Sequence, residues 1–182
     1  MVQQTETAIA RVLLDAKTIA TRVAELAHAI DGDYAERDPL IVFIMKGALL
    51  FVADLMRALR SNFRIDFMVV SSYGARTESS GSVRIVADLK SDIRGRDVLL
   101  VEDIIDSGIT LTEVMNHLRV RAPASMEICT LLSKPSRRRV TVPVRYIGFE
   151  IEDEFVVGYG LDFDERYRGL PYIAVLATPS TA

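Results

Sequence analysis

The segment VLLVEDIIDSGITLTEV, residues 98–114, decides both the fold class and the kind of site that this chain can carry. Its first residues are apolar, which is typical of a strand buried on both faces of a sheet. Two adjacent acids, Glu102 and Asp103, come next, and a small polar loop from Asp106 to Thr110 leads into a helical pattern. A strand, a loop and a helix in this order predict one unit of an α/β domain.

The rest of the chain continues this alternation in both directions. Asp15 is a candidate N-cap for a helix in which Ile19, Val23, Leu26, Ala27 and Ile30 form an apolar face. Further strands are predicted at residues 40–45, 64–71, 83–89, 98–102 and 126–132, and further helices at 48–60 and 111–120. This pattern predicts a single α/β domain over residues 1–182, with a mainly parallel central sheet flanked by helices. Residues 145–176 contain only short strand-like pieces and are expected to contribute to a small hood at the chain termini.

Composition narrows the class of protein. The chain has 182 residues, 49% of them hydrophobic and 26% charged, as expected for a globular domain with a real core. A net charge of −3 gives no support to a nucleic-acid or membrane-surface binder. The single cysteine, Cys129, excludes an internal disulfide and favours a reducing, cytoplasmic setting. No secretory signal peptide or membrane span is expected, because no apolar run reaches the length of about 20 residues that a span needs.

The loop from Asp106 to Thr110 has the residue types of an anion site. The first N–H groups of a helix lack partners within the helix, and the helix dipole favours a negative charge near them. Gly108 allows close approach, and Ser107 and Thr110 offer hydroxyl groups. The same residue types also cap helices without binding anything. The loop is not a Walker A motif, and the chain contains no GxGxxG pattern.

The acids beside this loop favour a particular ligand. Glu102 and Asp103 follow a strand too apolar to hold them inside, so we expect both at the frayed end of the strand. Carboxylates there suit vicinal hydroxyls or a hard cation such as Mg²⁺. A phosphate on one side of the loop and a diol on the other describe a ribose 5-phosphate.

At this point the chain resembles a known family. VLLVEDIIDSGITL is similar to the 5-phosphoribosyl-1-pyrophosphate signature of the type I phosphoribosyltransferases. LLSKP at 131–135 and EFVVGYGLDFDERYR at 154–168 resemble the branch that uses 6-oxopurines, the hypoxanthine-guanine phosphoribosyltransferases. The match extends from the first helix to Leu176. It implies the fold of that family and Mg²⁺-dependent transfer of a 5-phosphoribosyl group to N9 of hypoxanthine or guanine, giving IMP or GMP in purine salvage.

The resemblance implies roles for the residues of the signature. Asp106 matches the general base or acid that faces purine N7. Glu102 and Asp103 match residues that hold the ribose hydroxyls close to a magnesium ion. The whole loop matches the residues that bind the 5-phosphate, namely Asp106, Ser107, Gly108, Ile109 and Thr110.

It also implies roles for residues outside the signature. Lys46, Gly47 and Arg168 match pyrophosphate contacts, and Asp162 matches a magnesium ligand on the pyrophosphate side. The family often has a cis peptide bond in this loop, which the match places between Lys46 and Gly47. In the base site, Lys134 matches the donor to the 6-oxo group, Phe155 the ring that stacks on the base, and Val156 the backbone that reads its pyrimidine edge. Ser72 and Tyr73 match a mobile lid.

Two other readings stay open on the sequence alone. Some regulators keep this fold and only sense the ligand, usually with an added nucleic-acid-binding surface, for which this slightly acidic chain has no spare length. A transferase for another base is the second alternative, and xanthine is the hardest base to exclude because it shares the 6-oxo group. The family suggests a homodimer or a homotetramer, with the phosphoribosyl donor and a purine base as its small-molecule partners.

Overall fold

Strands and helices alternate along the residues that the computed structural model describes, 9–72 and 83–177. The helices are α1 (Ala16–Asp33), α2 (Leu49–Ala58) and α3 (Ile109–Arg119), with a 3-10 turn at Pro135–Arg137. The strands are β1 (Ile9–Leu14), β2 (Leu40–Met45), β3 (Arg64–Ser72), β4 (Val83–Ala87), β5 (Asp97–Ile105), β6 (Ser125–Ser133), β7 (Tyr146–Glu150), β8 (Val156–Val157) and β9 (Ile173–Leu176).

Six of these strands form the central sheet, in the order β4-β3-β2-β5-β6-β7. All neighbours are parallel except β4, which runs antiparallel to β3 at one edge. Helices cover both faces: Ile41 and Phe43 of β2 pack in the cluster that contains α1 and α2, whereas Leu40 and Val42 pack in the cluster that contains α3. The predicted α/β class with a mainly parallel sheet is confirmed.

The first helix follows the sequence pattern closely. The carboxylate of Asp15 accepts a hydrogen bond from the backbone N–H of Thr18 at 2.7 Å, as an N-cap residue does. The buried residues of α1 are the five that the periodicity selected: Ile19, Val23, Leu26, Ala27 and Ile30. Burial of this stripe fixes α1 against the sheet and against α2.

A second, three-stranded sheet forms the hood, in the order β1-β9-β8. All of its pairs are antiparallel, so the two ends of the described chain meet here. The sequence did not predict β1, because most of its residues are exposed and it lacks a buried-strand pattern. The boundary of the hood at residue 145 was wrong: β7 is a parallel neighbour of β6 in the main sheet. Gly148 permits this pairing, since a Cβ there would lie 2.4 Å from the carbonyl oxygen of Leu131.

Two further features of the described ranges bear on the expectations. Cys129 is a free thiol buried in β6, and burial raises its pKa. None of the helices within residues 9–72 and 83–177 combines the length and the apolarity that crossing a membrane requires.

Candidate active site

The polar loop between β5 and α3 forms one wall of a pocket. β5 ends at Ile105 and α3 begins at Ile109, so Asp106, Ser107 and Gly108 make the whole connection, while Ile109 and Thr110 open the helix. Gly108 has φ +83°, a conformation that favours glycine, and it lies at the N-cap position without a side chain to cap the helix. The loop and Glu102 line an open pocket of about 390 Å³. Oγ of Ser107 accepts a hydrogen bond from the backbone N–H of Ile109 at 3.3 Å, so the loop caps the helix in part. Gly108 itself offers no capping side chain, which leaves the other N–H groups of the first turn available to an anion.

The two acids lie inside β5 rather than beyond it, which corrects the expectation of a frayed strand end. β5 continues to Ile105, and it carries Glu102 and Asp103 as partly buried side chains near its end. Burial raises the pKa of Glu102 well above its ordinary value, and the neighbouring Asp103 carboxyl adds to the shift. Burial also raises the pKa of Asp103, to about 6, although the backbone N–H of Ile104 and the guanidinium of Arg168 oppose the rise. Such a pair is costly at neutral pH unless a cation or a ligand hydroxyl meets it.

The loop after β2 lies directly against these acids. A Cβ on Gly47 would lie 1.7 Å from Oδ2 of Asp103, so a larger residue at this position would displace the Asp103 carboxylate. The cis peptide bond lies between Met45 and Lys46, one residue before the place that the family resemblance indicated. The carboxyl ends of β2 and β5, neighbours in the sheet, thus bring the candidate pyrophosphate and ribose residues together.

The hood closes onto this loop through a second glycine. Gly160 has φ +102°, and a Cβ there would lie 2.0 Å from the carbonyl oxygen of Gly47. Arg168 donates from Nη1 to the carbonyl oxygen of Gly160 at 2.8 Å, and its Nη2 lies 2.8 Å from Oδ1 of Asp162. The Nε atom of Arg168 is buried, and no described residue accepts a hydrogen bond from it. Arg168 and Asp162 therefore form one hood cluster that borders the loop at Gly47.

Glu165, which the sequence did not single out, joins this cluster to Lys46. Its Oε2 accepts a hydrogen bond from Nζ of Lys46 at 2.9 Å and another from Nη2 of Arg168 at 3.3 Å. These hydrogen bonds, first that from Lys46 and then that from Arg168, lower the pKa of Glu165. Its backbone has φ +61°, which is unusual for a residue with a side chain.

Lys134, the candidate donor to the base, lies at the end of β6. It is beside the loop of residues 106–110 between β5 and α3, which we call the phosphate loop. The backbone N–H of Lys134 donates to the carbonyl oxygen of Ile105 at 2.9 Å. The Lys134 side chain is only 9% exposed, and its Nζ lies 3.7 Å from Oδ1 of Asp153. That separation is too long for a good hydrogen bond, so the buried ammonium keeps donor capacity for a ligand carbonyl. This burial excludes a solvated surface role for Lys134.

Two further residues connect Lys134 to the candidate catalytic acid. Arg137 donates from Nε to Oδ1 of Asp106 at 3.1 Å, and its Nη1 lies 3.6 Å from Oδ2 of Asp153. Asp153 in turn faces Lys134, so a chain of alternating charges runs along the base side of the pocket. Arg138 also lies here, and it donates from Nη2 to Oγ of Ser133 at 2.9 Å. Asp106, Arg137 and Asp153 come from separate segments, so no local pattern in the sequence signals their contacts.

The aromatic residue expected to stack on the base is exposed. Phe155 is 56% exposed, and its ring meets that of Phe163 edge to face, with centroids 5.7 Å apart. Val156 beside it is buried in β8. The exposed ring of Phe155, two residues after Asp153, is available for a flat ligand, and its exposure excludes a core role.

Two groups of predicted residues are not brought together. Within residues 9–72 and 83–177, no three His, Cys, Asp or Glu side chains form a cluster that could hold one metal ion, so Asp162 does not join Glu102 and Asp103 in a single ligand set. Ser72 ends β3, whereas Tyr73 and most of the expected lid lie outside the described residues.

Known proteins similar in sequence show which family this chain belongs to. The family model for the phosphoribosyl transferase domain matches residues 11–164. The chain belongs to the phosphoribosyltransferase family. A hypoxanthine-guanine phosphoribosyltransferase of Mycobacterium tuberculosis (strain H37Rv) is 51% identical over 174 residues, which cover 92% of this chain and 86% of that protein. A hypoxanthine phosphoribosyltransferase of Escherichia coli K12 is 51% identical over 164 residues, 89% of this chain and 92% of that protein.

Solved structures agree with this membership. A crystal structure of a hypoxanthine-guanine phosphoribosyltransferase from Bacillus anthracis superposes with a TM-score of 0.89 at 41% identity, over 93% of this chain and 100% of that chain. The resemblance to the hypoxanthine-guanine branch of the phosphoribosyltransferases is confirmed, and the chain is a transferase of this family. The family match says nothing about individual side chains, so the residue roles rest on the geometry described above.

Proposed function

We propose that this phosphoribosyltransferase transfers the 5-phosphoribosyl group of phosphoribosyl pyrophosphate to N9 of hypoxanthine or guanine, releasing IMP or GMP and pyrophosphate. The observation that carries the proposal is the position of Lys134. This buried ammonium lies at the end of β6, next to the phosphate loop at the end of β5, with its backbone bonded to Ile105. A 6-oxo group accepts a hydrogen bond from such a donor, whereas the 6-amino group of adenine cannot.

The phosphate loop holds the donor substrate at its 5-phosphate end. Asp106, Ser107, Gly108 and Thr110 line the pocket, and their backbone N–H groups with the hydroxyls of Ser107 and Thr110 suit an anion at the start of α3. Asp106 lies between this anion site and the base side, and it takes or returns the proton at purine N7. Arg137 holds the Asp106 carboxylate before the base arrives.

Glu102 and Asp103 take the ribose and a divalent cation, for which we propose Mg²⁺. The structure supports this fit: both side chains are partly buried, and Oε2 of Glu102 is buried without a hydrogen-bond partner among the described residues. Oxygen donors of this kind suit Mg²⁺. When bound, the ion offsets the negative charge of the departing pyrophosphate. Asp162 supplies a further carboxylate from the hood, on the pyrophosphate side.

The leaving group and the base occupy opposite sides of the ribose. Lys46, Gly47 and Arg168 border the pyrophosphate side, where Gly47 contacts Asp103 and the hood at Gly160. Phe155 offers its ring to the base plane, and the backbone of Val156 reads the pyrimidine edge. We propose that Ser72, and Tyr73 outside the described residues, contribute to a lid over both substrates.

A turnover assay tests this function directly. The chain is incubated with phosphoribosyl pyrophosphate, Mg²⁺ and each of five bases, namely hypoxanthine, guanine, xanthine, adenine and uracil, and nucleotide products are quantified. IMP and GMP are expected, with adenine and uracil inactive. XMP as the main product would establish a xanthine-preferring transferase, and the absence of any nucleotide would establish a ligand-sensing regulator.

Two properties outside the chemistry stay predictions. We propose that the chain works in the cytoplasm, in keeping with its free, buried Cys129. We also propose a homodimer or a homotetramer, which sedimentation or light scattering of the purified chain would identify.

A further inference from the structure

We propose that Glu165 is a built-in competitor for pyrophosphate, and that it weakens the binding of the leaving group so that the product can depart. This inference rests on the proposed function, because it requires that Lys46 and Arg168 border the pyrophosphate site. The observation behind it is that a single carboxylate oxygen, Oε2 of Glu165, bridges both cations. An anionic side chain therefore occupies the charges that an anionic ligand needs.

Glu165 is not required to hold Arg168 in place. The guanidinium of Arg168 already has two other anchors, the carbonyl oxygen of Gly160 and the carboxylate of Asp162, each at 2.8 Å. The contact with Glu165 is longer, at 3.3 Å. Removal of the Glu165 charge would leave Arg168 oriented but less neutralised, which favours an incoming phosphate.

The Glu165 side chain is also free to leave. It is 64% exposed and Lys46 is 59% exposed, whereas Arg168 is only 26% exposed. Ion pairs between exposed side chains contribute little, and they dissolve easily when a more highly charged partner arrives. Pyrophosphate carries several negative charges, so it displaces one carboxylate, and Glu165 returns to the two cations when pyrophosphate departs.

Binding of inorganic pyrophosphate tests the competitor role. Glu165→Gln keeps the size of the side chain and removes its charge, so it should bind pyrophosphate with Mg²⁺, and phosphoribosyl pyrophosphate, about 2- to 10-fold more tightly than the unaltered chain. Product inhibition by pyrophosphate should strengthen by a similar factor, while the KM for guanine stays the same. The difference should shrink as ionic strength rises, because salt screens exposed charges.

The matched control is Asp164→Asn, which removes one charge from the adjacent residue of the same loop. Asp164 makes no described contact with Lys46 or Arg168, and its φ of +51° is well tolerated by asparagine. It should change pyrophosphate affinity much less than Glu165→Gln does. Equal or weaker binding by Glu165→Gln would mean that Glu165 only positions Arg168, and it would overturn the inference. If the unaltered chain bound no pyrophosphate while still forming IMP, the placement of the leaving-group site would be wrong and this inference with it; if it formed no nucleotide at all, the proposed function would fail first.

Discussion

Gly160 of the hood and Gly47 of the loop after β2 lie so close together that a Cβ on Gly160 would overlap the backbone of Gly47. A Cβ on Gly160 would lie 2.0 Å from the carbonyl oxygen of Gly47, and a Cβ on Gly47 would lie 1.7 Å from the carboxylate of Asp103. The hood, the candidate pyrophosphate loop and the candidate ribose acids therefore form one contiguous stack. The packing of this stack depends on glycine, which has no Cβ, at positions 47 and 160.

Gly160→Ala tests the importance of this contact. The added methyl group forces the hood and the loop apart, and the φ of +102° is also unfavourable for alanine. A displacement of this size should lower kcat/KM for phosphoribosyl pyrophosphate roughly 10- to 100-fold. Gly169→Ala, in the same hood, is the control, since a Cβ there meets nothing within 4 Å. If steady-state kinetics gave the same kcat/KM for phosphoribosyl pyrophosphate in Gly160→Ala and Gly169→Ala, the contact between Gly160 and Gly47 would not matter for activity.

The raised pKa of Asp103 predicts an unusual dependence of stability on pH. The pKa of Asp103 is raised to about 6 in the folded chain, so folding favours its protonated form. The stability that this group contributes is present below its ordinary pKa of about 4 and is lost as the pH rises through about 6. Without metal, Asp103→Asn should therefore match the unaltered chain near pH 4 and exceed its free energy of unfolding by on the order of 3 kcal/mol at pH 7.5.

Asp31→Asn provides a control of opposite sign for that experiment. Burial acts to raise the pKa of Asp31, but hydrogen bonds from Arg60 and Ser61 outweigh it, and the net shift is downward. The charged form of Asp31 thus stabilises the fold above its ordinary pKa, and the variant should be less stable at pH 7.5. Urea unfolding of both variants at the two pH values measures the contrast. If Asp103→Asn were less stable than the unaltered chain at pH 7.5, as is expected of Asp31→Asn, the charge on Asp103 would not destabilise the fold and the prediction would be wrong.

Metal dependence follows from the same pair of acids. Excess chelator should abolish nucleotide formation, and Mg²⁺ should restore it, because the charge of the departing pyrophosphate needs to be offset. Mg²⁺ alone should raise the melting temperature of the unaltered chain at pH 7.5 and should raise that of Asp103→Asn less. Full activity in excess chelator would show that the acids do not hold a required ion.

Asp106→Asn separates proton transfer from binding. The asparagine keeps the shape of the loop and can still accept the hydrogen bond that Arg137 donates to Asp106, but it cannot take a proton. We expect kcat to fall by about 10²–10⁴, with the KM for guanine and the Kd for phosphoribosyl pyrophosphate much less affected. Pre-steady-state rates and direct binding would measure both effects, and an unchanged chemical rate would remove Asp106 from the proton transfer.

Local sequence patterns predicted those parts of the fold that depend on local physics. The apolar run at 40–45 became β2 with the same bounds, and the capping Asp15 and the stripe of α1 are as expected. β1 and the place of β7 escaped prediction, because short strands take their partners from distant segments. The membership of β7 in the main sheet depends on Gly148 and its neighbour Leu131, a contact that no local pattern signals.

In the site, too, the features that local sequence determines were predicted, whereas those that depend on distant contacts were not. The loop at 106–110 and the acids before it are contiguous in sequence, and their residue types alone indicated a sugar phosphate. Arg137, Asp153 and Glu165 act through ion pairs that span from 16 positions, between Arg137 and Asp153, to 119 positions, between Lys46 and Glu165. A signal for Glu165 existed in the charged run DFDERYR, but only the folded hood shows which cations it meets.

The central claim is that Lys134 reads the 6-oxo group of the purine, and its removal tests that claim most directly. A charged hydrogen bond of this kind contributes roughly 1.5–3 kcal/mol, so kcat/KM for guanine should fall roughly 10- to 150-fold in Lys134→Ala. The Kd for phosphoribosyl pyrophosphate should change little, because Lys134 borders the base side of the pocket. Lys134→Met, which keeps the buried aliphatic stem, should show the same pattern, and Lys90→Ala on the exposed surface should show no change. Weakened binding of phosphoribosyl pyrophosphate with guanine kinetics preserved would contradict the account, because Lys134 would then belong to the leaving-group site.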